Sequence, residues 1–193
     1  MKVVTFIRHY RLAYPFDSKE NTDHEQYVNL SKGLIDPSIN SDVKNYITNE
    51  LDLDAYKQFD VIISSPSKRT LESANEVKKV FNLNIKIETC ELLEECAWNP
   101  DLPGERINRF IDGTELSTLK DTWERIKELD KYLKGLSYNN MLCVTHSFFM
   151  QILYLYYSGS FKNYKDIKYE DIKSSFHGEY LKGFDVNYPD LGK

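Results

Sequence analysis

Two histidines, two arginines and a pair of glutamates carry the chemistry that this sequence can offer. Arg8 and His9 follow directly on the apolar run Val3-Val4-Thr5-Phe6-Ile7, and His146 follows on Met141-Leu142-Cys143-Val144-Thr145. Both runs are short, rich in β-branched and aromatic residues, and read as strands buried on both faces of a parallel sheet. In open α/β sheets ligands bind beyond the carboxyl ends of the strands, which is where both histidines stand. Arg69 lies in the opening turn of a helix, where the macrodipole disfavours a cation, so an anion beside it would explain its presence. Glu94 and Glu95 sit between Leu93 and Trp98, and an apolar surround raises a carboxyl pKa and suits the group to donate a proton. Each feature alone has an ordinary explanation: a surface Arg-His pair, a core histidine, a solvated arginine beside Lys68 and Glu72, or an acidic first turn favouring its helix dipole. Two histidines closing two buried strands at the same end are harder to dismiss.

The elements that must position these groups alternate between strand and helix, which is an α/β pattern. Besides 3–7 and 141–145, strands are expected at 59–64 and 84–88, with an edge strand within 179–187. Ser41-Asp42 is expected to cap a helix carrying Val43, Tyr46, Ile47 and Leu51 on one face. Ser65-Pro66 serves as N-cap and first position of a helix whose stripe is Leu71, Ala74, Val77 and Phe81. The longest periodic segment runs from Leu119 through Trp123, Ile126, Leu129 and Leu133 to Gly135. Ser147 is the expected N-cap of an apolar helix over 148–154. The stretch 10–40 reads as a long loop with one short helix, of the kind that forms lids and binding loops. The stretches 100–113 and 158–177 read as loops, and Pro189 onward as a frayed tail.

Composition narrows the partners. The chain has 193 residues with 25 Lys and Arg against 30 Asp and Glu, a net charge of -5, which argues against nucleic acid or an anionic membrane surface as the partner. Any anion site must therefore be made by local charges. No apolar run approaches membrane-span length, and the start of the sequence lacks a signal-like segment, so a cytoplasmic protein is expected. Cys90, Cys96 and Cys143 form no Cys-x-x-Cys pair and read as buried, reduced thiols.

Four segments, taken in order, carry a resemblance: Phe6-Ile7-Arg8-His9, Ser64-Ser65-Pro66-Ser67-Lys68-Arg69-Thr70 followed by Ser73-Ala74, Leu92-Leu93-Glu94, and Val144-Thr145-His146. Together they resemble the histidine phosphatase superfamily, the fold of cofactor-dependent phosphoglycerate mutase and its phosphatase relatives. The resemblance implies a three-layer α/β/α fold with a mostly parallel central sheet, in one domain over 1–193. It implies that His9 is the nucleophile that takes a phosphoryl group, that Arg8, Arg69 and His146 hold the phosphate oxygens, and that Glu94 protonates the leaving group, with Glu95 the reserve. Backbone donors of the turns after Ser65 and His146 would add to the same anion site. A histidine of ordinary pKa, about 6.5, is largely neutral at cytoplasmic pH and competent to attack phosphorus. Arginine forks match a transition state that spreads charge over its equatorial oxygens, and no metal or other cofactor is implied because they supply the positive charge.

The expected activity is that of a histidine acid-type phosphatase, a phosphomonoesterase acting on a small phosphorylated metabolite through a phosphohistidine. A phosphoglycerate mutase-type phosphotransferase is the rival on the same fold, and a catalytically weak phosphate-binding module is the rival from another class. Tyr10 and the altered loop after it motivate the latter. Tyr10 stands where glycine usually follows the nucleophile, bringing a phenol beside the pocket, and the family's usual Thr and Asn downstream are not evident in Arg11-Leu12-Ala13-Tyr14-Pro15. Ser147 is a further departure, replacing the glycine common after the second histidine. Arg11 is conceivable as an additional pocket cation.

Overall fold

The computed structural model describes residues 2–189. Five strands form one sheet: β1 (Lys2–Arg8), β2 (Val61–Ser64), β3 (Lys86–Thr89), β4 (Asn140–Thr145) and β5 (Gly183–Tyr188). Their spatial order is β3-β2-β4-β1-β5, with every neighbour parallel except β5, which runs antiparallel to β1. Around the sheet lie α1 (His24–Ser31), α2 (Val43–Glu50), α3 (Leu53–Lys57), α4 (Lys68–Val80), α5 (Arg106–Asp112), α6 (Leu119–Gly135), α7 (Ser147–Tyr157) and α8 (Tyr169–Lys173).

The alternation of side chains along the strands divides the core into two layers. Val4, Phe6, Val61, Ile63, Met141 and Cys143 face the helices α6 and α7. Ile7, Ile62, Leu142 and Val144 face the opposite layer, where Val43 and Ile47 of α2 pack with Ala74 and Val77 of α4. This is the α/β/α arrangement expected from the resemblance. The three cysteines are free and buried.

Several boundaries differ from the sequence expectations, each for a local reason. The stretch 100–113 is not all loop, because Ile107, Phe110 and Ile111 give α5 a short apolar face, and Gly113 stops it with φ +84°. The N-cap of α4 is Ser67, which leaves Ser65 and Pro66 outside the helix. The N-cap of α7 is His146 rather than Ser147, so the helix begins directly after the strand. Within 158–177 a turn of helix, α8, docks through buried Ile172. The edge strand begins only at Gly183, since Leu181 adopts φ +55° and breaks the extended run before it. The tail lies outside the described residues beyond Pro189.

β5 approaches β1 so closely at its start that a Cβ on Gly183 would lie 1.5 Å from the Phe6 carbonyl oxygen. That oxygen belongs to backbone and cannot turn aside. Gly183→Ala is therefore expected to destabilise the fold by about 2–3 kcal/mol or to detach β5. Urea unfolding measures this, and a variant as stable as the parent would mean that the edge strand does not sit where described.

Candidate active site

The register of β1 against β4 pairs Arg8 with Thr145, so the next residue of each strand, His9 and His146, leaves the sheet at the same level. The His9 amide donates to the Thr145 carbonyl at 2.9 Å, and the two imidazole centroids lie 5.3 Å apart. Both rings are buried.

The tautomer of His9 follows from its neighbour. Nδ1 lies 2.5 Å from the Tyr10 carbonyl oxygen, which can only accept, so Nδ1 carries the proton and Nε2 keeps its lone pair. Burial pushes the imidazole down to about 3; Arg69 and then Arg8 act in the same direction, and the Tyr10 carbonyl opposes them. His9 is thus neutral throughout the ordinary pH range.

His146 is arranged the other way round. Arg69 Nε donates to its Nδ1 at 3.3 Å, which leaves the proton on Nε2, 3.0 Å from Ser65 Oγ. Burial holds this imidazole well below its usual value, followed by Arg69, His9, Arg125 and Arg8.

The two arginines reach the site from different elements. Arg8 packs its guanidinium 4.4 Å over the Tyr180 ring and donates from Nη1 to the Gly178 carbonyl at 3.3 Å. Its Nε is buried with no acceptor among the described residues. Arg69, in the first turn of α4, pairs through Nη1 with Asp36 at 2.9 Å. Arg8, His9 and Arg69 line one cavity of about 370 Å³, and Arg69 and His146 line an adjoining one.

The glutamates separate. A three-residue turn, Glu91–Leu93, is tied to the end of β4 by the Thr145 hydroxyl, which donates to the Leu93 carbonyl at 2.6 Å. Beyond it the backbone is extended at Glu94, so consecutive side chains diverge. Glu94 is exposed and lines only the cavity that holds His146. Glu95 is half-buried and lines both, including the one that holds His9. Its carboxylate accepts the amides of Cys96 at 2.9 Å, Phe149 at 2.9 Å and Phe148 at 3.2 Å. It is therefore clamped at the N-terminus of α7, where the dipole favours negative charge.

This clamp narrows one expectation. Glu95 takes the Phe148 and Phe149 amides at the start of α7, and the Lys68 amide opening α4 donates to Asp36, so these three donors are filled, while the Ser147, Arg69 and Thr70 amides have no acceptor among the described residues. Tyr10 corrects another. Its ring is buried against Tyr46 and Tyr180, and its hydroxyl donates to Asp42 at 3.0 Å, so the phenol turns away from the cavity that His9 lines. Arg11 pairs with the same Asp42 and lines neither cavity. Ser147 does line the cavity beside His9.

Among the residues at the site that were not singled out from the sequence as contributors to it are Asp36, Lys19, Tyr180 and Arg106. Arg106 was hidden by the Pro103-Gly104 pair, which reads as loop. The spacing of Ile107, Phe110 and Ile111 was the available signal for the helix that carries it. Among the described residues, no cluster of three or more His, Cys, Asp or Glu side chains could hold a metal ion, and no helix is long and apolar enough to cross a membrane.

Two imidazoles held neutral inside the fold give a defined pH dependence of stability. Their folded pKa values lie below the unfolded one, so their contribution is complete above about pH 6.5 and is lost as pH falls toward the folded value. Each would remove up to about 1.4 kcal/mol per pH unit below that point. Between pH 6.5 and 5, chemical denaturation of His9→Asn should show a shallower slope than the parent by about one proton. An unchanged slope would mean that His9 is charged in the folded protein.

Comparison with known proteins places this arrangement. No curated protein matches the chain. Among solved structures, a mycobacterial glucosyl-3-phosphoglycerate phosphatase superposes with a TM-score of 0.60 at 15% identity, covering 86% of this chain and 84% of that one. A phosphoglycerate mutase from Bacillus anthracis superposes with a TM-score of 0.54 at 18% identity, covering 82% and 81%. At these identities the likeness is one of fold. The family model of the histidine phosphatase superfamily (branch 1) matches residues 48–175, more than half of the chain. That match spans Arg69, both glutamates and His146, and the chain belongs to the histidine phosphatase superfamily.

Proposed function

We propose that this protein is a phosphomonoesterase that works through a phosphohistidine on His9. The observation that carries the reading is the fixed tautomer of His9: a buried neutral ring with its lone pair on Nε2, beside a cavity that Arg8 and Arg69 also line. In the first step Nε2 attacks phosphorus, the bond from phosphorus to the ester oxygen breaks, and a carboxylic acid gives its proton to the departing oxygen. In the second step water attacks the phosphohistidine, loses its proton to the same carboxylate, and the phosphorus–nitrogen bond breaks to release inorganic phosphate. Arg8, Arg69 and His146 hold the phosphoryl oxygens during both displacements.

We assign the acid to Glu95 in place of Glu94. Glu95 lines the cavity that His9 lines and is oriented by three amides, whereas Glu94 is exposed and lines only the neighbouring one. The amides fix the position of the carboxyl group; because they also favour its ionised form, the proton it donates must be taken up as the phosphate dianion binds in the same cavity and penalises a second negative charge there. The position of Tyr10 also removes one of the two features that favoured a non-catalytic binding module, since its ring does not obstruct the cavity.

Purified protein should hydrolyse para-nitrophenyl phosphate, and His9→Ala should lower kcat by at least about a thousandfold while abolishing an acid-labile phosphoenzyme in rapid-quench labelling. Hydrolysis that survives in His9→Ala would overturn the nucleophile. Glu95→Gln should cost about 10²–10⁴-fold with alkyl phosphates and less with the better leaving group para-nitrophenolate, because general acid catalysis matters most for poor leaving groups. Glu94→Gln should stay within a few-fold of the parent, and the reverse ranking would return the role to Glu94.

A further inference from the structure

Helix α5 carries two arginines one turn apart that are treated in opposite ways. Arg109 is saturated: its guanidinium donates to Glu115 Oε2 at 2.8 and 3.0 Å and to the carbonyls of Asn99, Leu102, Pro103 and Gly104. It holds the 99–115 segment together and has no capacity left. Arg106 is half-buried, and burial lowers its pKa while the Glu95 carboxylate opposes that shift. It donates only to the Cys96 carbonyl, at 2.8 Å, and has no carboxylate within ion-pair distance among the described residues. None of its nitrogens is sealed away without a partner, so the unused N–H groups open to the cavity that Arg106 lines with His9.

A cation drawn partly out of water with no direct ion pair is unfavourable unless something fixes it there. The Glu95 carboxylate attracts Arg106 from a distance, and aromatic rings hold it: its guanidinium lies 3.8 Å from the Phe148 ring centroid and 4.9 Å from that of Trp98. Trp98 in turn meets Tyr27 edge-on at 5.9 Å, and the Lys19 ammonium sits 5.5 Å from the Tyr27 centroid. The aromatic side chains thus support the two cations, and the wall presents positive charge. Four cationic side chains, Arg8, Lys19, Arg69 and Arg106, line this cavity against two carboxylates, Asp17 and Glu95. A single phosphoryl group beside His9 is already served by Arg8 and Arg69.

We infer that Arg106 and Lys19 form a second anion subsite, and that the preferred substrates are phosphoesters whose leaving group itself carries an anionic group, a carboxylate or a second phosphate. This rests on the phosphomonoesterase reading and names its substrate class. An uncharged alcohol would leave the guanidinium without a direct ion pair, whereas an anion would supply one with charge-assisted bonds.

The test uses matched aryl esters: para-carboxyphenyl phosphate against its neutral isostere para-carbamoylphenyl phosphate, with hydroquinone bisphosphate as the phosphate arm. In Arg106→Gln the ratio of kcat/KM for a charged ester to that for the neutral one should fall at least tenfold relative to the parent, and in the exposed Lys19→Gln a few-fold. The ratio cancels general losses of folding or catalysis. Whether the carboxylate or the bisphosphate loses more identifies which anion the subsite takes. A ratio unchanged in Arg106→Gln, or in Lys19→Gln if the former does not fold, would overturn the subsite. If the parent hydrolyses none of the esters, the phosphatase reading fails on its own. Calorimetry then decides the subsite: tighter binding of the carboxyl ester than of the carbamoyl ester, lost in Arg106→Gln, supports it, and equal binding refutes it.

Discussion

The parallel pairing of β1 with β4 is the constraint on which the rest of the site depends. Because Arg8 faces Thr145 in the register, His9 and His146 emerge side by side, and a slip of one residue would send one of them into the opposite layer. The connections follow from that adjacency. β2 lies on the far side of β4, so the chain must cross the sheet between β1 and β2, and α2 and α4 pack together on the face it crosses. The return from β3 to β4 places α6 on the other face. The carboxyl ends of β1, β2 and β4 then surround one hollow, and α4 and α7 both begin at its edge.

Inside that hollow the protein fixes dipoles before any ligand arrives. His9 and His146 carry their protons on opposite ring nitrogens, one set by the Tyr10 carbonyl and the other by Arg69. Both stay neutral because burial and two guanidinium groups penalise a further positive charge. The same arginines that suppress protonation of His9 would attract an anion to it, so one pair of residues sets both the charge of the ring and the potential around it. Arg8 keeps a buried Nε without an acceptor, and Arg69 divides its donors between His146 and Asp36.

Most of this was legible in the sequence where it depended on hydrophobic period. The buried strands ending in His9 and His146 could be read because a short β-branched run followed by a polar residue leaves few alternatives, and Arg69 stood out through its conflict with the dipole of α4. What escaped had its cause in tertiary contacts. Leu92-Leu93-Glu94-Glu95 gives no period that tells which glutamate turns inward; that is settled by the Thr145–Leu93 tie and by the amides of α7, both distant in sequence. Tyr10 reads as an obstruction next to His9, yet the pleat sends it to the opposite layer, where Asp42 and Tyr46 receive it. α5 is seven residues long, too short to show a convincing stripe.

The two helix N-termini show how far carboxylates of this chain already take the place that an incoming anion would fill. A strand-to-helix turn ordinarily offers free amides to a phosphate. In this chain Glu95 takes the Phe148 and Phe149 amides, and Asp36 takes the Lys68 amide. Both acceptors are carboxylates supplied from loops that are remote in sequence, so part of each helix start is taken by a segment that also borders the cavity. Filling the amides with Glu95 locks a carboxylate beside His9, a use of the α7 dipole that a bound phosphate would compete with. The side-chain positive charge left for a ligand is that of Arg8, Arg69, Arg106 and Lys19, whose guanidinium and ammonium groups are braced by Tyr180, His146, Phe148, Trp98 and Tyr27. Three of those five supports, Tyr27, Trp98 and Tyr180, themselves line the cavity that His9 lines, so the aromatic content of these segments is tied to placing cations rather than to filling the core.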